Sequence, residues 1–201
     1  MNTVRTSLIC GFATAFFALL LICFPMEWAH SAILAGGTLS NVQVGSTYDY
    51  TITLTNQGSI SINTFWYAWV PGQDYLPSSP TTIGSPTGWT GSVTHGGPSD
   101  GYAILWHTIS NGTDELATGS SFQFTFDMTN APASLAGNSI FYTNTPVGTS
   151  FVYSGQPLSG SSAQFVVQSV PEPASVVLIG LGLLAILGIR PLLAFQAKRK
   201  Q

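Results

Sequence analysis

Between Arg5 and Arg190 the chain has no lysine or arginine. Ordinary composition would put roughly fifteen basic residues in residues 32–169 alone. Residues 32–169 hold six acids (Asp49, Asp74, Asp100, Asp114, Glu115, Asp127) and no base to neutralise phosphates, which excludes nucleic-acid binding. Cysteine is as scarce: Cys10 and Cys23, both near the N-terminus. A domain built from residues 32–169 therefore has no disulfide, no thiol nucleophile and no cysteine metal site, and its stability must come from a core. Away from the two ends, no stretch of about ten or more residues shows 3.6-residue periodicity, which excludes a helical domain.

What is present begins with an export signal. One charge, Arg5, precedes an apolar stretch over residues 8–24, and Ala29-His30-Ser31 sets small side chains ahead of a cut. The expected signal peptide is residues 1–31, with the mature chain starting at Ala32; a cut after Ala35 is second best. Cys23 follows the large Ile22 rather than a small residue, which argues against lipid attachment. An uncleaved signal would make residues 8–24 a membrane helix. Basic residues held at both extremes, with none between, are what the positive-inside rule expects of a translocated middle and two cytoplasmic ends.

At the other end, Val170-Pro171-Glu172-Pro173 precedes an apolar run over residues 174–189, then Arg190 and the closing Lys198-Arg199-Lys200. As a helix that run rises ~24 Å, short of a ~30 Å hydrocarbon core. Extending it through residue 195 supplies the length if Arg190 snorkels to the headgroups. Pro171 and Pro173 remove backbone donors and keep the helix from starting early. The span has no Gly-x-x-x-Gly motif, so pairing through it is not implied. In this order, these parts resemble the PEP-CTERM sorting signal of Gram-negative bacterial surface proteins. The resemblance covers residues 170–201. It implies recognition by exosortase, an integral-membrane cysteine protease that cuts near the triplet and passes the cargo outward, in hosts that usually make exopolysaccharide. It further implies that Val170, Pro171, Glu172 and Pro173 are the recognition element. Arg190, Lys198, Arg199 and Lys200 would be the cytoplasmic stop. The usual signal has its Arg cluster directly after the helix; here Arg190 and Pro191 come first and the cluster follows later.

Residues 32–169 amount to one domain, able to bury roughly two-thirds of its unfolded surface. Tyr48, Tyr50, Ile52 and Leu54 alternate with polar residues, as do Phe122, Phe124 and Phe126, so each set marks a strand with one buried face. Residues 60–70 read as a strand apolar on both faces in its later half, therefore central or bulged. Residues 73–87 read as a long ordered loop pinned by Tyr75, Leu76 and Ile83. Further strands are expected over residues 89–95, 102–109, 140–143, 147–153 and 163–168, with one helical turn over residues 131–136 that starts near Pro132 and stops at Gly137. The pattern predicts an all-β, immunoglobulin-like β-sandwich of about eight strands, with a jelly roll as the alternative. The segment from Tyr50 to Ser59 resembles early strands of immunoglobulin-like bacterial surface modules.

No catalytic constellation is legible, and the protein is expected not to be an enzyme. His95, His107 and Asp100 lack a placed serine for a triad, and a two-His-plus-Asp metal site is a minor alternative. Asp114 and Glu115, beside Asn111 and Thr113, form a weak calcium candidate, without the spacing of an EF-hand loop. No cofactor is expected. Trp66, Trp69, Tyr75, Trp89, Trp106, Tyr142 and Tyr153 exceed what one small core needs, which makes Tyr75 and Trp89 candidate ligand-facing aromatics; the competing reading is that these rings fill the core. The sequence therefore predicts three segments: a signal peptide (1–31), an exported passenger (32–169) and a sorting and anchor segment (170–201). It points to an exported cell-surface or extracellular-matrix protein with a structural or adhesive passenger. An exopolysaccharide-binding module is the alternative, and an ice-binding protein or a plain membrane-anchored domain are lesser ones. Expected partners are exosortase, signal peptidase and the export machinery, membrane lipid and, on the carbohydrate reading, exopolysaccharide.

Overall fold

A computed structural model describes residues 32–110 and 112–170. The expected signal peptide, the apolar span, Pro171-Glu172-Pro173 and the basic residues Arg190, Lys198, Arg199 and Lys200 lie outside these residues. Among the described residues no helix is long and apolar enough to cross a membrane.

In chain order the strands are β1 (Ala35–Val44), β2 (Thr47–Asn56), β3 (Thr64–Tyr67), β4 (Trp69–Val70), β5 (Gln73–Asp74), β6 (Thr82–Gly84), β7 (Trp89–His95), β8 (Tyr102–Thr108), β9 (Ser121–Met128), β10 (Thr149–Tyr153), β11 (Ser162–Val166) and β12 (Gln168–Ser169). One short helix, α1 (Pro132–Ala136), follows β9. A first sheet has the order β12-β1-β2-β9-β6, a second β11-β10-β3-β8-β7, and β4 pairs with β5 in a small ribbon.

Alternation sets the faces. On β2, Tyr50, Ile52 and Leu54 are fully buried, while Asp49 is exposed and Thr51, Thr53 and Thr55 lie half-buried on the opposite side. β9 contributes Phe124, Phe126 and Met128 to the same inner face. Across the gap the second sheet presents Phe65 and Tyr67 from β3 and Ile104 and Trp106 from β8. Ring contacts join the two sheets: Phe65 to Phe124 at 5.3 Å, Trp106 to Phe124 at 5.1 Å and Tyr67 to Phe126 at 5.4 Å. Each such side chain contributes about 1.5–3 kcal/mol on burial. The result is an all-β sandwich with its core between the sheets.

The observed elements correct several expectations. There are twelve described strands rather than about eight, and β4, β5, β6 and β12 have three residues or fewer, too short for alternation to show. β1 was not legible in the sequence because Gly36-Gly37 carry no side-chain signal and its second half reverses the pattern, with Val42 and Val44 exposed and Asn41 and Gln43 at inner positions. Gly37 is closely packed there: a Cβ would meet Val167 Cγ2 at 3.0 Å and Phe165 Cε2 at 3.1 Å. The strand expected over residues 60–70 is central, between β10 and β8, but it breaks at Ala68, a buried residue with φ of 57°. The loop over residues 73–87 is pinned as expected, with Tyr75 and Leu76 buried, and it adds β6 to the first sheet. Residues 140–143 form no strand. That segment closes on itself, Ser139 N donating to Thr145 O at 2.7 Å, and Ile140 is 75% exposed.

Two buried tyrosines make opposite predictions. Tyr50 donates its hydroxyl to Asn130 O at 2.6 Å, whereas the buried Tyr67 hydroxyl has no hydrogen-bond partner among the described residues. Tyr50→Phe is expected to lose about 1 kcal/mol, and Tyr67→Phe to be neutral or to gain up to about 1 kcal/mol, because the second change removes a desolvated group that nothing satisfies. Urea unfolding of the two variants beside the parent measures both.

Candidate functional site

Of the two readings of the surplus aromatics, burial favours the one in which the rings fill the core. Tyr75 is 1% exposed and Trp89 4% exposed, so neither presents a ring face to solvent, and their assignment as ligand-facing residues is corrected. Trp89 sits edge-on to Phe124 at 5.2 Å and donates Nε1–H to Asp114 O at 2.7 Å; it is a core residue that ties down the turn before β9. Tyr75 meets Tyr142 edge-on at 5.4 Å and donates its hydroxyl to Gln73 Oε1 at 2.7 Å. Trp66, Trp69 and Tyr153 form a second, smaller apolar cluster with Leu105 and Phe151. Trp66 and Trp69 stack at 4.2 Å across the break at Ala68, and both are buried. The surplus of rings is therefore taken up by two cores.

The histidines do not form a site. His95 ends β7 in register with Tyr102, and His107 is in register with Thr90. Five residues of β8 separate the two rows, roughly 17 Å at strand rise. This corrects the two-His-plus-Asp alternative. His95 Nδ1–H donates to Gly101 O at 2.6 Å and His107 Nδ1–H to Thr108 O at 2.9 Å. Of the calcium candidates, Asn111 lies outside the described residues, Asp114 lends its carbonyl to Trp89, and the Glu115 carboxylate accepts from Gly112 N at 3.2 Å. Among the described residues no three His, Cys, Asp or Glu side chains converge to hold a metal. A shallow cleft of about 310 Å³ beside α1 is lined by small and aliphatic groups, among them Ala133, Gly137 and Val147, with Asn130 and Asn138 at its polar edge.

Two surfaces stand out instead. The outer face of the first sheet carries hydroxyl and amide side chains across adjacent strands. Ser40, Thr51 and Thr125 form one rung, and Thr38, Thr53 and Gln123 the next. Thr55 Oγ1 and Ser121 Oγ hydrogen-bond at 2.7 Å. Asp49 and Asp127 face each other in register at the end of this array, on the outward side expected of them. Thr51, Thr53 and Thr55 were visible in the sequence; their cross-strand partners on β1 were not, because β1 itself was not. The second surface is the edge where β12 pairs parallel with β1, Thr38 with Gln168 and Leu39 with Ser169. Val170 N then donates to Leu39 O at 2.8 Å.

The most perturbed acid lies at the loop end of the sandwich. Asp100 Oδ1 accepts from Asp74 N at 2.9 Å, Gly101 N at 3.0 Å and the Tyr142 hydroxyl at 2.9 Å, and so joins three loops. Gly101 packs against the Asp74 and Leu76 carbonyls, where a Cβ would come within 2.6 Å and 2.7 Å. Burial, and after it the neighbouring Asp100 carboxylate, push the Asp74 carboxyl up to about 6 from an ordinary value of 3.8. An acid whose folded value is raised favours folding in its protonated form. Its cost is therefore present above the folded value and is relieved as pH falls through 6 toward 3.8. The melting temperature is expected to rise by several degrees between pH 7.5 and pH 5, and Asp74→Asn to flatten that rise while raising stability at pH 7.5; melts across that range check it.

No curated protein matches the chain. Among solved structures, an uncharacterized protein from Nocardia farcinica with an immunoglobulin-like fold aligns at 11% identity and a TM-score of 0.38, over 66% of this chain and 98% of that one. A GH20 exo-β-N-acetylglucosaminidase from Vibrio harveyi in complex with N-acetylglucosamine aligns at 11% identity and a TM-score of 0.38, over 68% of this chain and 18% of that one. The CBM3 of Hungateiclostridium clariflavum aligns at 14% identity and a TM-score of 0.36, over 64% of this chain and 98% of that one. At these scores the likeness carries no argument about ligand or activity. Residues 169–190 match the PEP-CTERM protein-sorting motif, which begins at the last residue of β12 and ends at Arg190, so the chain carries the sorting signal that its C-terminal sequence resembles.

Proposed function

We propose that this protein is an exosortase substrate. It is exported with loss of residues 1–31, held for a time in the inner membrane by residues 174–195, and cut near Pro171-Glu172-Pro173. That delivers a non-enzymatic, immunoglobulin-like sandwich to the cell surface or extracellular matrix. The observation that carries this reading is the sorting motif at residues 169–190, which starts at the final residue of the last strand of a sandwich. Exclusion of basic residues from the whole segment between Arg5 and Arg190 supports translocation by an independent route.

For the passenger, the reading is structural or adhesive, through the outer face of the first sheet. A broad β surface of Thr, Ser and Gln side chains with no cation offers dense hydrogen-bonding groups at strand spacing, suited to packing on copies of itself or on other hydroxyl-rich matrix. The carbohydrate alternative loses its stacking platform with the burial of Tyr75 and Trp89, and a glycan would have to lie on this same face.

Intact mass of the protein in cell and medium fractions, with and without exosortase in the host, tests the sorting. A released species from Ala32 to near Pro171 that disappears without exosortase is expected. A product that keeps Lys198-Arg199-Lys200 in both hosts would make the protein a plain membrane-anchored domain. For the passenger, Thr53→Lys with Thr125→Lys is expected to lower retention in the matrix at least several-fold with the melt changed little. Unchanged retention removes the adhesive role of this face, and a loss seen on purified exopolysaccharide alone favours glycan binding.

A further inference from the structure

The sorting motif and the fold meet with no residue to spare. Val167 is 5% exposed, and its N–H donates to Gly148 O at 2.9 Å, so the chain is anchored in the sandwich up to that point. Gln168 and Ser169 then pair with Thr38 and Leu39, and Val170 N–H goes to Leu39 O. The next residue is Pro171.

Proteases and other peptide-binding proteins commonly take an extended chain by its main-chain hydrogen bonds. Pro171 and Pro173 have no N–H to give. The first backbone donor ahead of the triplet is therefore Val170, and that donor is already committed to β1. An enzyme that grips the chain upstream of the triplet competes with the Leu39 carbonyl for the same hydrogen. In the cut itself the scissile C–N bond breaks. Its carbonyl carbon passes to the enzyme's nucleophile and then to water, and the departing amine takes a proton. The groups flanking that bond must first be free of any other ladder.

We infer that Thr38 and Leu39 are positioning residues for the sorting cut: by holding Gln168, Ser169 and Val170 in the first sheet they make cutting wait on the release of β12. The inference rests on the exosortase reading above and assigns that site its control. β12 suits such a role. It is an edge strand of two residues, Gln168 is exposed and Val170 is 44% exposed. Short terminal pairings of this kind open far more often than the core does. β12 supplies no ring to the aromatic contacts between the sheets. A domain that has not formed β1 would present an unlatched motif, so the latch makes the rate of cutting sensitive to whether the passenger has folded.

The test uses the full chain, with Cys10 and Cys23 changed to Ser, in a host with exosortase, and follows conversion to the released form by pulse-chase and intact mass. Thr38→Cys with Gln168→Cys places a disulfide between exposed partners on adjacent strands. The oxidised lock, confirmed by mass, is expected to slow release on the order of tenfold, and reductant to restore it. A Gly-Ser-Gly-Ser insertion between Val170 and Pro171 gives the enzyme free chain without touching β1. It is expected to speed release several-fold and to make the rate indifferent to the lock. A confirmed lock that leaves release unchanged, or an insertion released at the parent rate, overturns the inference. Absence of cutting in every variant, the insertion included, overturns the exosortase reading and this one with it.

Discussion

Contact between the inner faces of the two sheets is the interaction on which everything else depends. With no cysteine and no basic residue among residues 32–170, neither a disulfide nor a Lys or Arg ion pair can hold the domain. The stabilising term left is burial, concentrated where Phe65 and Trp106 stack at 5.5 Å and Phe124 fits against both. These rings fix the separation and register of the sheets, and so fix which residues of β2 and β9 face outward.

That constraint explains how the surplus aromatics are distributed. The break at Ala68 turns the chain so that Trp69 falls back on Trp66, and the second cluster forms as a consequence. The same turn starts the excursion that brings Tyr75 and Leu76 under the loops, where Asp100 gathers three segments through one oxygen. The buried Asp74 beside it carries the electrostatic strain of that arrangement. The first sheet, with its rings turned inward, is left with an outer surface of hydroxyls and amides. A protein stabilised in this way can present a polar, cation-free face and still be well packed.

Much of this was legible from side-chain period. The alternation of Tyr50, Ile52 and Leu54 and of Phe124 and Phe126 assigned buried faces correctly, and Pro132 and Gly137 bracketed the one described helical turn. What failed had specific causes. β1 is disguised by Gly36 and Gly37, the second of them packed against Val167 and Phe165, and strands of two or three residues carry no period. Tyr75 and Trp89 stayed open between core and ligand-facing roles because a ring beside a polar residue looks the same in sequence whether it turns in or out.

The sequence by itself determined the sorting signal and the fold class. Charge placement and the Pro-Glu-Pro triplet are linear features, and strand alternation is local. The tertiary structure decided which aromatics are core, which threonines on separate strands share a face, and that Val170 is tied to Leu39. Those facts depend on pairing between residues far apart in the chain. Such pairing is set by how two sheets close over a common core, and no local pattern encodes it.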